Sequence, residues 1–250
     1  MAGADAQLDA FRRLFPAPLG DDLAPHVRIV TRRNGQVIID HQDETSEVFV
    51  VLEGSLRVEL FSLNGREIIL ADVSRGDLVG EFAALDEQPR SATVTASSNC
   101  TLATIPGPVF KQAVLAHPAT AEWIATRFTR QIRLLTERMF EMNALAVRSR
   151  LHCELLRLSL DAGVSGNAAV VSPAPTHQQI ASKIGTHREA VTRELGYLQD
   201  QAITQQDGRK LTICDVEKLA EIVRAAAGDI ELIQRANQAR IGRSVDASEL

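Results

Sequence analysis

Short apolar runs alternate with polar positions along residues 26–106 and end at turn residues. Asn34-Gly35, Gly54 and Asn64-Gly65 separate these runs. The Asn64-Gly65 pair predicts a type I′ hairpin, because both central residues of that turn need a positive φ. Six to eight short strands at this spacing are typical of an antiparallel sandwich or barrel. One segment, residues 80–96, does not follow the alternation.

After Pro118 the hydrophobic period changes from two residues to about 3.5, which predicts a long helix over residues 119–146. An a/d seam on this helix consists of Phe128, Ile132, Leu135, Met139, Met142 and Ala146. A helix packed on its own barrel is one interpretation of the seam. Because charged residues flank so narrow a seam, we expect a parallel homodimer instead, with the first five of these residues at its interface.

Helical and turn signals then follow each other closely. An amphipathic helix is predicted over residues 148–162, with Leu151, Leu155, Leu156, Leu158 and Leu160 available for burial. The pattern continues with a helix near 176–183, a turn at Ile184-Gly185, a helix near 187–200, a hairpin at Asp207-Gly208 and a helix near 215–227. We therefore divide the chain into a β-rich domain with an N-terminal helix (1–118), a long helix (119–146), a second domain (147–228) and a tail of unassigned role (229–250).

Composition agrees with an ordinary globular protein of two domains. Hydrophobic residues make up 45% of the 250 residues and charged residues 24%, which excludes disordered, collagenous and disulfide-scaffold classes. The longest aliphatic and aromatic run, residues 48–52, is far too short to cross a membrane. Cys100, Cys153 and Cys214 form neither a disulfide framework nor a CxxC pair, and we expect all three to be buried. We expect a cytoplasmic protein.

The charge distribution permits nucleic-acid binding without predicting it. The net charge of −5 lies entirely in residues 1–146, whereas residues 147–250 are neutral. A neutral second half is not a basic patch.

Residues 80–96 contain the groups that an anionic sugar ligand needs. Gly80 allows a ligand to approach the backbone closely, and a short helix starting there directs N–H groups towards an anion. Arg90 adds a charge-assisted clamp for a phosphate, and Ser91 adds a further donor. Glu81 can accept hydrogen bonds from sugar hydroxyls. The alternative is that Glu81 and Arg90 are only an ion pair that closes a loop.

Residues 176–203 carry the pattern of a helix-turn-helix. Ile180, Ala181, Ile184, Val191 and Leu195 fit the buried positions, and Gly185 fits the turn. Thr186 and Glu189 are spaced as a capping box for the second helix. A polar face of about 140° on that helix carries Arg188, Glu189, Thr192 and Arg193. Arginine fits guanine and glutamate fits cytosine in the major groove, although a solvated Glu189–Arg193 pair is an equal alternative.

The stretch GEFAAL-x4-RSATVTA resembles the phosphate-binding cassette of cyclic-nucleotide-binding domains, as in protein kinase A regulatory subunits and the cyclic-AMP receptor protein family. The resemblance implies that Glu81 holds the ribose 2′-hydroxyl and Arg90 the cyclic phosphate. It further implies that Ser91 and the backbone at Gly80 and Ala83 hold the remaining phosphate oxygens. On the long helix the resemblance assigns a ligand contact to Thr136. The full implied set is Gly80, Glu81, Phe82, Ala83, Arg90, Ser91 and Thr136.

The second segment is similar to the recognition motif of the same superfamily, Crp-Fnr, through Arg188-Glu189-x3-Arg193. By this resemblance Thr176, His177 and His187 lie near DNA phosphates, and the preferred half-site contains a GTGA-like core. The implied DNA-binding set is Thr176, His177, Thr186, His187, Arg188, Glu189, Thr192 and Arg193. The implied partners are a second copy of the chain, palindromic double-stranded DNA and RNA polymerase. The implied effector is cyclic AMP or cyclic GMP, with cyclic di-GMP as a third candidate.

We therefore expect an α+β protein: an N-terminal antiparallel β-roll, a long dimerisation helix and a C-terminal winged helix-turn-helix. Its expected function is ligand-controlled transcription regulation, which needs no catalytic residue. Two alternatives stay open. A nucleotide-binding adaptor would use the C-terminal helices to bind protein. A cupin-like enzyme would need an HxH metal motif, which does not occur in the sequence, and we expect no metal.

Overall fold

The computed structural model describes the backbone of residues 2–246 and the side chains of residues 6–239. The chain divides into two compact units, and the division falls between Gln131 and Ile132, inside the long helix. Positions 247–250 of the predicted tail lie outside the described residues. None of the helices in the described residues is both long and apolar enough to cross a membrane.

The first unit is a β-roll flanked by helices. Its helices are α1 (Ala2–Arg12), α2 (Leu19–Leu23), α3 (Glu81–Asp86), α4 (Gly107–Ala116) and the start of α5 (Pro118–Ala144), with a 3-10 turn at Ala24–His26. Its strands are β1 (Arg28–Arg32), β2 (Val37–Ile39), β3 (Val48–Glu53), β4 (Leu56–Phe61), β5 (Glu67–Val73), β6 (Leu78–Val79), β7 (Thr93–Ala96) and β8 (Cys100–Ile105). They form two four-stranded antiparallel sheets, ordered β1-β8-β3-β6 and β2-β7-β4-β5. The predicted antiparallel β-rich domain is confirmed.

Strand β3 explains the longest apolar run of the sequence. Val48, Val50 and Leu52 pack in the core beneath the helices, whereas Phe49 and Val51 pack between the two sheets. Because successive side chains of a strand point to opposite faces, a strand covered on both faces needs apolar residues at every position. Residues 48–52 of the strand are therefore all apolar, instead of alternating with polar residues.

The predicted type I′ turn at Asn64-Gly65 is wrong, although the hairpin itself is present between β4 and β5. Only Gly65 of the pair has a positive φ, of 78°. The backbone N–H of Gly65 donates to the carbonyl of Ser62, 2.8 Å away. This arrangement is a four-residue turn that ends in a left-handed glycine, which the longer hairpin loops use. The pair therefore marks the hairpin but not its turn type.

The long helix α5 has 27 residues and ends earlier than predicted. Ala146 does not belong to it, because this residue has extended backbone and forms the N-cap of the next helix. The seam therefore ends at Met142. Four of its residues are well exposed: Ile132, Leu135, Met139 and Met142. Phe128 instead packs on the core of the first unit, where its ring lies 5.6 Å from that of Phe82.

The second unit places five helices around a small sheet. After the end of α5 come α6 (Val147–Ala162), α7 (His177–Ile184), α8 (Arg188–Asp200), α9 (Val216–Ala227) and α10 (Glu231–Asp246). The sheet is formed by β9 (Val164–Ser165), β10 (Ala168–Val171), β11 (Thr204–Asp207) and β12 (Lys210–Ile213), in the order β11-β12-β10-β9. The β11–β12 hairpin turns at Gly208, as predicted, and forms the wing beside the two-helix motif.

The start of the tail is part of the second core. Leu232 and Ile233 are fully buried there, although sequence reasoning gave the tail no role. The backbone N–H of Leu232 donates to the Glu137 carboxylate on α5, 2.9 Å away. Helix α10 is thus held at its first turn by both apolar packing and a charge-assisted hydrogen bond.

The three cysteines are free thiols. Cys100 lies buried between the two sheets and Cys153 in the core of the second unit. The expectation of burial is wrong for Cys214, which is only half-buried because it lies just beyond the end of strand β12. Burial raises the pKa of the Cys153 thiol to about 12, so this group is unreactive in the folded chain.

Candidate functional sites

Gly80 begins the candidate ligand site in a conformation that other residues rarely adopt. It is the N-cap of α3, with a φ of 88°. A Cβ at this position would lie 2.6 Å from both Nη1 of Arg90 and the carbonyl oxygen of Glu47. Glycine is therefore required here for two reasons, the left-handed backbone and the close approach of the arginine.

The Arg90 guanidinium lies immediately behind this glycine and is only 2% exposed. Its Nε donates to the Thr45 hydroxyl (3.1 Å), its Nη1 to the carbonyl of Gly80 (3.0 Å) and its Nη2 to the carbonyl of Glu47 (2.8 Å). A guanidinium has five N–H groups. These bonds use three of them and leave one on each Nη for a further acceptor.

Arg90 thus has a structural role that sequence reasoning missed. It joins the loop before β7 to the segment before β3 and to the N-cap of α3. Two of its three acceptors are backbone carbonyls, which have no side-chain signature in a sequence. The alternative interpretation, a Glu81–Arg90 ion pair that closes the loop, does not apply, because the carboxylate within salt-bridge distance of Arg90 is that of Glu47, at 3.8 Å.

Glu81 is the first residue of α3 and is 4% exposed. Burial raises the pKa of its carboxyl group to about 6. A hydrogen bond from its own backbone N–H and the positive charges of Arg127 and Arg90 lower the pKa, but they only partly oppose the effect of burial. The Arg127 guanidinium is held nearby by Asp77 and the carbonyl of Leu78, each 3.4 Å away. A buried carboxylate with so little direct compensation is costly to keep ionised, which is typical of binding and catalytic groups.

The cost of ionising the buried Glu81 carboxyl group predicts a change of stability with pH that can be tested. Because its folded-state pKa is raised, the folded state binds more protons than the unfolded state between about pH 4.5 and 6, and stability falls as the pH rises through that window. The loss amounts to about 2 kcal/mol for a shift of this size. We expect Glu81→Gln to remove this loss, so the variant is more stable than the wild type at pH 7.5.

Urea unfolding of the full chain measures this effect through Trp123, the sole tryptophan, which packs on the first core. The exposed carboxylate of Glu44 provides the control, because Glu44→Gln removes the same charge at the surface. Equal stability of the Glu81→Gln and wild-type chains at pH 7.5 would contradict the assignment.

The other predicted ligand residues lie around this centre or on α5. Ala83 is buried in α3, Ser91 is exposed directly after Arg90, and Phe82 is 42% exposed beside Phe128. The structure therefore brings together Gly80, Glu81, Arg90 and their chain neighbours. Thr136 is exposed on α5 and donates to the carbonyl of Ile132, 2.8 Å away.

A cleft of about 610 Å³ lies beside this loop and was not predicted. Its walls come from the segment 44–46, from α3 with the loop after it, and from α4. Neither Glu81 nor Arg90 lines it, but Thr45 does, and Thr45 is the acceptor for Nε of Arg90. The cleft therefore shares one wall with the arginine, and Ala83 is the one member of the predicted ligand set that lines it.

The two-helix motif of the second unit has the predicted core. Ile180, Ala181, Ile184, Val191 and Leu195 are all buried. Gly185 forms the turn with a φ of 66°, and a Cβ there would collide with Cε of Met142 at the end of α5. The predicted side chains at the start of α8 are accessible: His187, Arg188, Glu189, Thr192 and Arg193 are exposed and Thr186 is half-buried.

The predicted capping box at Thr186 and Glu189 is wrong. Helix α8 begins at Arg188 with His187 as its N-cap, and no side chain caps it. The N–H of Thr186 bonds to the carbonyl of Ala181, 3.0 Å away, so Thr186 belongs to the end of the preceding helix. A complete capping box is present instead at Thr176 and Gln179, at the start of α7. Thr176 with Gln179 and Thr186 with Glu189 both match the capping-box pattern. Only the position of the turn decides which pair caps a helix.

His177, the first residue of α7, was expected near a DNA phosphate. Its Nδ1 lies 2.8 Å from the Thr192 hydroxyl on α8, and its Nε2 lies 3.2 Å from Oε1 of Gln206 in the wing. The imidazole therefore bridges three elements of the motif within the protein.

A buried ionic cluster connects α5, α6 and α7, and sequence reasoning missed it. The Glu154 carboxylate lies at its centre and contacts Arg157 (3.0 Å), Arg138 (3.2 Å) and Lys183 (3.2 Å). Arg157 also contacts Glu141, 2.5 Å away. Burial alone raises the pKa of Glu154, but the three cations outweigh it and hold the pKa below its ordinary value. Charged residues within the apolar face of α6 were the available signal.

Comparison with known proteins finds a family model for a stretch of each unit. Residues 29–117 match the family model "Cyclic nucleotide-binding domain", and residues 149–222 match the model "Crp-like helix-turn-helix domain". The chain belongs to the Crp-Fnr family of transcription regulators. The β-roll, the long helix and the winged helix-turn-helix are thus the fold of this family, as the sequence predicted.

Individual Crp-Fnr relatives are moderately similar. The cAMP-activated global transcriptional regulator CRP of Salmonella typhimurium is 28% identical over 175 residues, which cover 69% of this chain and 83% of the relative. The structure of FixK2 from Bradyrhizobium japonicum has a TM-score of 0.70 at 19% identity, covering 80% of this chain and 99% of FixK2. The c-di-GMP-responsive regulator CLP of Xanthomonas campestris has a TM-score of 0.67 at 19% identity, covering 79% and 99%. The described residues contain no group of three or more metal-ligating side chains placed to hold a metal ion.

Proposed function

We propose that this Crp-Fnr protein is a cytoplasmic homodimer whose sequence-specific DNA binding is controlled by a cyclic nucleotide. The observation that carries the proposal is the Arg90 guanidinium, which three protein acceptors hold in place while one N–H on each Nη stays available. A cyclic phosphate offers two oxygens for such a pair of donors. Because the side chain is 2% exposed, the ligand must displace part of the protein around it, which couples binding to a conformational change.

The proposed ligand contacts are the predicted ones. Glu81 accepts from the ribose 2′-hydroxyl, Ser91 and the backbone at Gly80 and Ala83 complete the phosphate site, and Phe82 and Thr136 contribute further contacts. Ionisation of Glu81 is costly in the free protein, since burial raises its pKa to about 6. A hydrogen bond donated by the ribose 2′-hydroxyl would stabilise the ionised form in the complex.

The effector is proposed to be cyclic AMP or cyclic GMP. The name of the Salmonella relative favours cyclic AMP, and the c-di-GMP-responsive CLP has the same fold, so cyclic di-GMP is the third candidate. Calorimetric titration of each nucleotide into the full-length protein tests the proposal. We expect saturable binding of at least one of them, lost in Glu81→Gln. Absence of heat with all three nucleotides would contradict it.

The proposed dimer forms along α5, where Ile132, Leu135, Met139 and Met142 are 45–70% exposed. An apolar stripe of this kind at a/d spacing is unusual on a monomer surface. Phe128 is proposed to contribute only through its exposed edge, because it packs on the first core.

Charged substitutions on this stripe give the corresponding prediction. We expect Leu135→Lys with Met139→Glu to convert the dimer into monomers, because burial of these charges against a second helix is prohibitive. Analytical ultracentrifugation measures the change. The exposed pair Arg133 and Asn143 on the same helix gives the control Arg133→Lys with Asn143→Glu, which should remain dimeric. A monomeric wild type would contradict the proposed interface.

DNA recognition is assigned to the start of α8. Arg188, Glu189, Thr192 and Arg193 are proposed to reach base edges, and Thr176, Thr186 and His187 to lie near phosphates. The proposed site is a palindrome with GTGA-like half-sites whose centres are about 34 Å apart, one helical turn of DNA. Nucleotide binding shifts the dimer towards the geometry that fits this spacing, and RNA polymerase is the proposed further partner.

A second candidate function is a nucleotide-binding adaptor whose C-terminal helices bind protein. The neutral charge of residues 147–250 favours it. The salt dependence of DNA binding separates the two functions, because each neutralised phosphate contributes a log–log slope of about −0.9. A steep negative slope supports the regulator, whereas absence of DNA binding at low salt supports the adaptor.

A further inference from the structure

His177, the first residue of α7, contacts both the proposed recognition helix α8 and the wing through its side chain. Its Nδ1 lies 2.8 Å from Oγ1 of Thr192 in α8. Its Nε2 lies 3.2 Å from Oε1 of Gln206 in β11. Both partners are exposed, whereas the imidazole between them is half-buried. The two ring nitrogens are thus occupied by protein groups rather than directed at solvent.

The Thr192 hydroxyl is fully committed within the protein. It donates its single hydrogen to the carbonyl of Arg188, one turn earlier, 3.0 Å away. It therefore accepts a hydrogen bond from Nδ1–H of His177. Oγ1 of Thr192 is therefore held between α7 and the backbone of α8. The methyl group on Cβ remains available to contact a base.

Gln206 completes the bridge on the side of the wing. Its amide nitrogen lies 3.4 Å from the carbonyl of Gly208, at the turn between β11 and β12. A side-chain amide carries both an acceptor and two donors. In the orientation observed, Oε1 of Gln206 accepts from Nε2–H of His177 while the amide nitrogen donates to the carbonyl of Gly208, so the bridge connects the wing turn to α8.

We propose that His177 is a positioning residue for DNA readout: it fixes Thr192 so that its methyl group, not its hydroxyl, faces a thymine C5-methyl group, and it holds the wing against the recognition helix. Apolar contact with the thymine methyl is a known form of major-groove readout. The inference rests on the proposed DNA-binding function and replaces the expectation that His177 contacts a phosphate.

The test uses DNA selected from a random pool by the full-length protein. Each thymine of the selected site is replaced in turn by deoxyuridine, which removes only the C5-methyl group. We expect one thymine per half-site at which this change weakens binding about fourfold, the value of one buried methyl group. Thr192→Val keeps the methyl group and should keep this sensitivity, whereas Thr192→Ser should abolish it.

The role of His177 is read from the same measurement in a double-mutant cycle. We expect His177→Ala to reduce the sensitivity to deoxyuridine below twofold, because the freed hydroxyl can turn towards the base. In the Thr192→Val background, which has no hydroxyl to release, His177→Ala should leave the sensitivity unchanged. A residue that merely stabilised the fold would lower affinity in both backgrounds without changing the preference for thymine.

Three results would overturn the inference. A uniform loss of affinity in His177→Ala with a salt slope smaller by about 0.9 indicates a phosphate contact instead. Equal sensitivity to deoxyuridine in Thr192→Ser and the wild type would show that the methyl group of Thr192 does not contact the thymine, although the protein binds DNA. Absence of any DNA binding by the wild type overturns the proposed function and this inference together.

Discussion

Replacing Arg90 by methionine is expected to lower the free energy of unfolding of the first unit by about 3–5 kcal/mol. The substitution preserves most of the apolar volume of the side chain but removes all its donors. The half-buried carbonyls of Gly80 and Glu47 and the exposed Thr45 hydroxyl then lose their donor. An unsatisfied buried polar group costs about 1–3 kcal/mol, so the two carbonyls account for most of the expected loss.

Trp123 fluorescence during urea unfolding measures this loss, because this tryptophan packs in the first unit with its ring 5.5 Å from that of Phe15. Arg66 is exposed in the β4–β5 turn and supplies the matched control. Arg66→Met should change the unfolding free energy by less than about 0.5 kcal/mol. If Arg90→Met were as stable as the control, the guanidinium would not hold the loop.

This prediction changes how ligand-binding experiments on Arg90 should be interpreted. Loss of nucleotide binding in an Arg90 variant reports both a missing phosphate contact and a weakened loop. Glu81→Gln separates the two effects, because it is expected to stabilise the free protein while weakening the complex. A variant that is more stable yet binds less ligand assigns the loss to the ligand contact.

The second large effect is expected for Glu154→Gln, which should destabilise the second unit by about 3–5 kcal/mol. The carboxylate is buried among Arg138, Arg157 and Lys183. An amide leaves these cations without their shared counter-charge in a region where unpaired charge is costly. The cluster connects α5 to α6 and α7, so its loss should also loosen the two-helix motif.

Thiol labelling in urea measures the two units separately. Cys153 is buried in the second core and Cys100 in the first, and mass spectrometry distinguishes the labelled peptides. We expect Glu154→Gln to lower the urea midpoint for Cys153 and to leave that for Cys100 unchanged. Glu221→Gln removes an exposed carboxylate of the same unit and should shift neither midpoint. Equal shifts for both cysteines would refute a local role of the cluster.

The pH dependence of the Glu154 contribution has a defined sign. The pKa of this carboxyl group is lowered in the folded state, so the unfolded state binds the proton more readily. The contribution is therefore fully present above the ordinary pKa of about 4.5 and is lost as the pH falls through the lower folded-state value. The wild type and Glu154→Gln should converge in stability in acid.

Local features were predictable because local patterns determine them. The two-helix motif follows from the spacing of Ile180, Ile184 and Val191 and from the glycine at 185, all within twelve residues. The alternation of the strands and the hairpin at Gly65 are likewise short-range signals. These patterns predicted the fold class correctly.

The errors and omissions have tertiary causes. Thr176 and Thr186 both match a capping-box pattern, and the sequence cannot decide which one precedes the helix start. Two of the three acceptors of Arg90, at Thr45 and Glu47, lie more than 40 residues away along the chain. The acceptors at Gly80 and Glu47 are backbone carbonyls, which any residue would supply. The contact between His177 and Thr192 was not predicted, because it depends on how α7 packs against α8. Contacts of this kind follow from packing rather than from spacing.

Under the proposed function, ligand bound beside Arg90 controls DNA binding by the second unit, and one measurement tests this coupling directly. The affinity of the full-length protein for its selected DNA is measured by fluorescence anisotropy, with and without saturating cyclic AMP, cyclic GMP or cyclic di-GMP. We predict that one of these nucleotides tightens DNA binding about tenfold or more, within the usual range of coupling between sites, and that Glu81→Gln loses the effect. DNA affinity that stays the same with all three nucleotides would contradict the account.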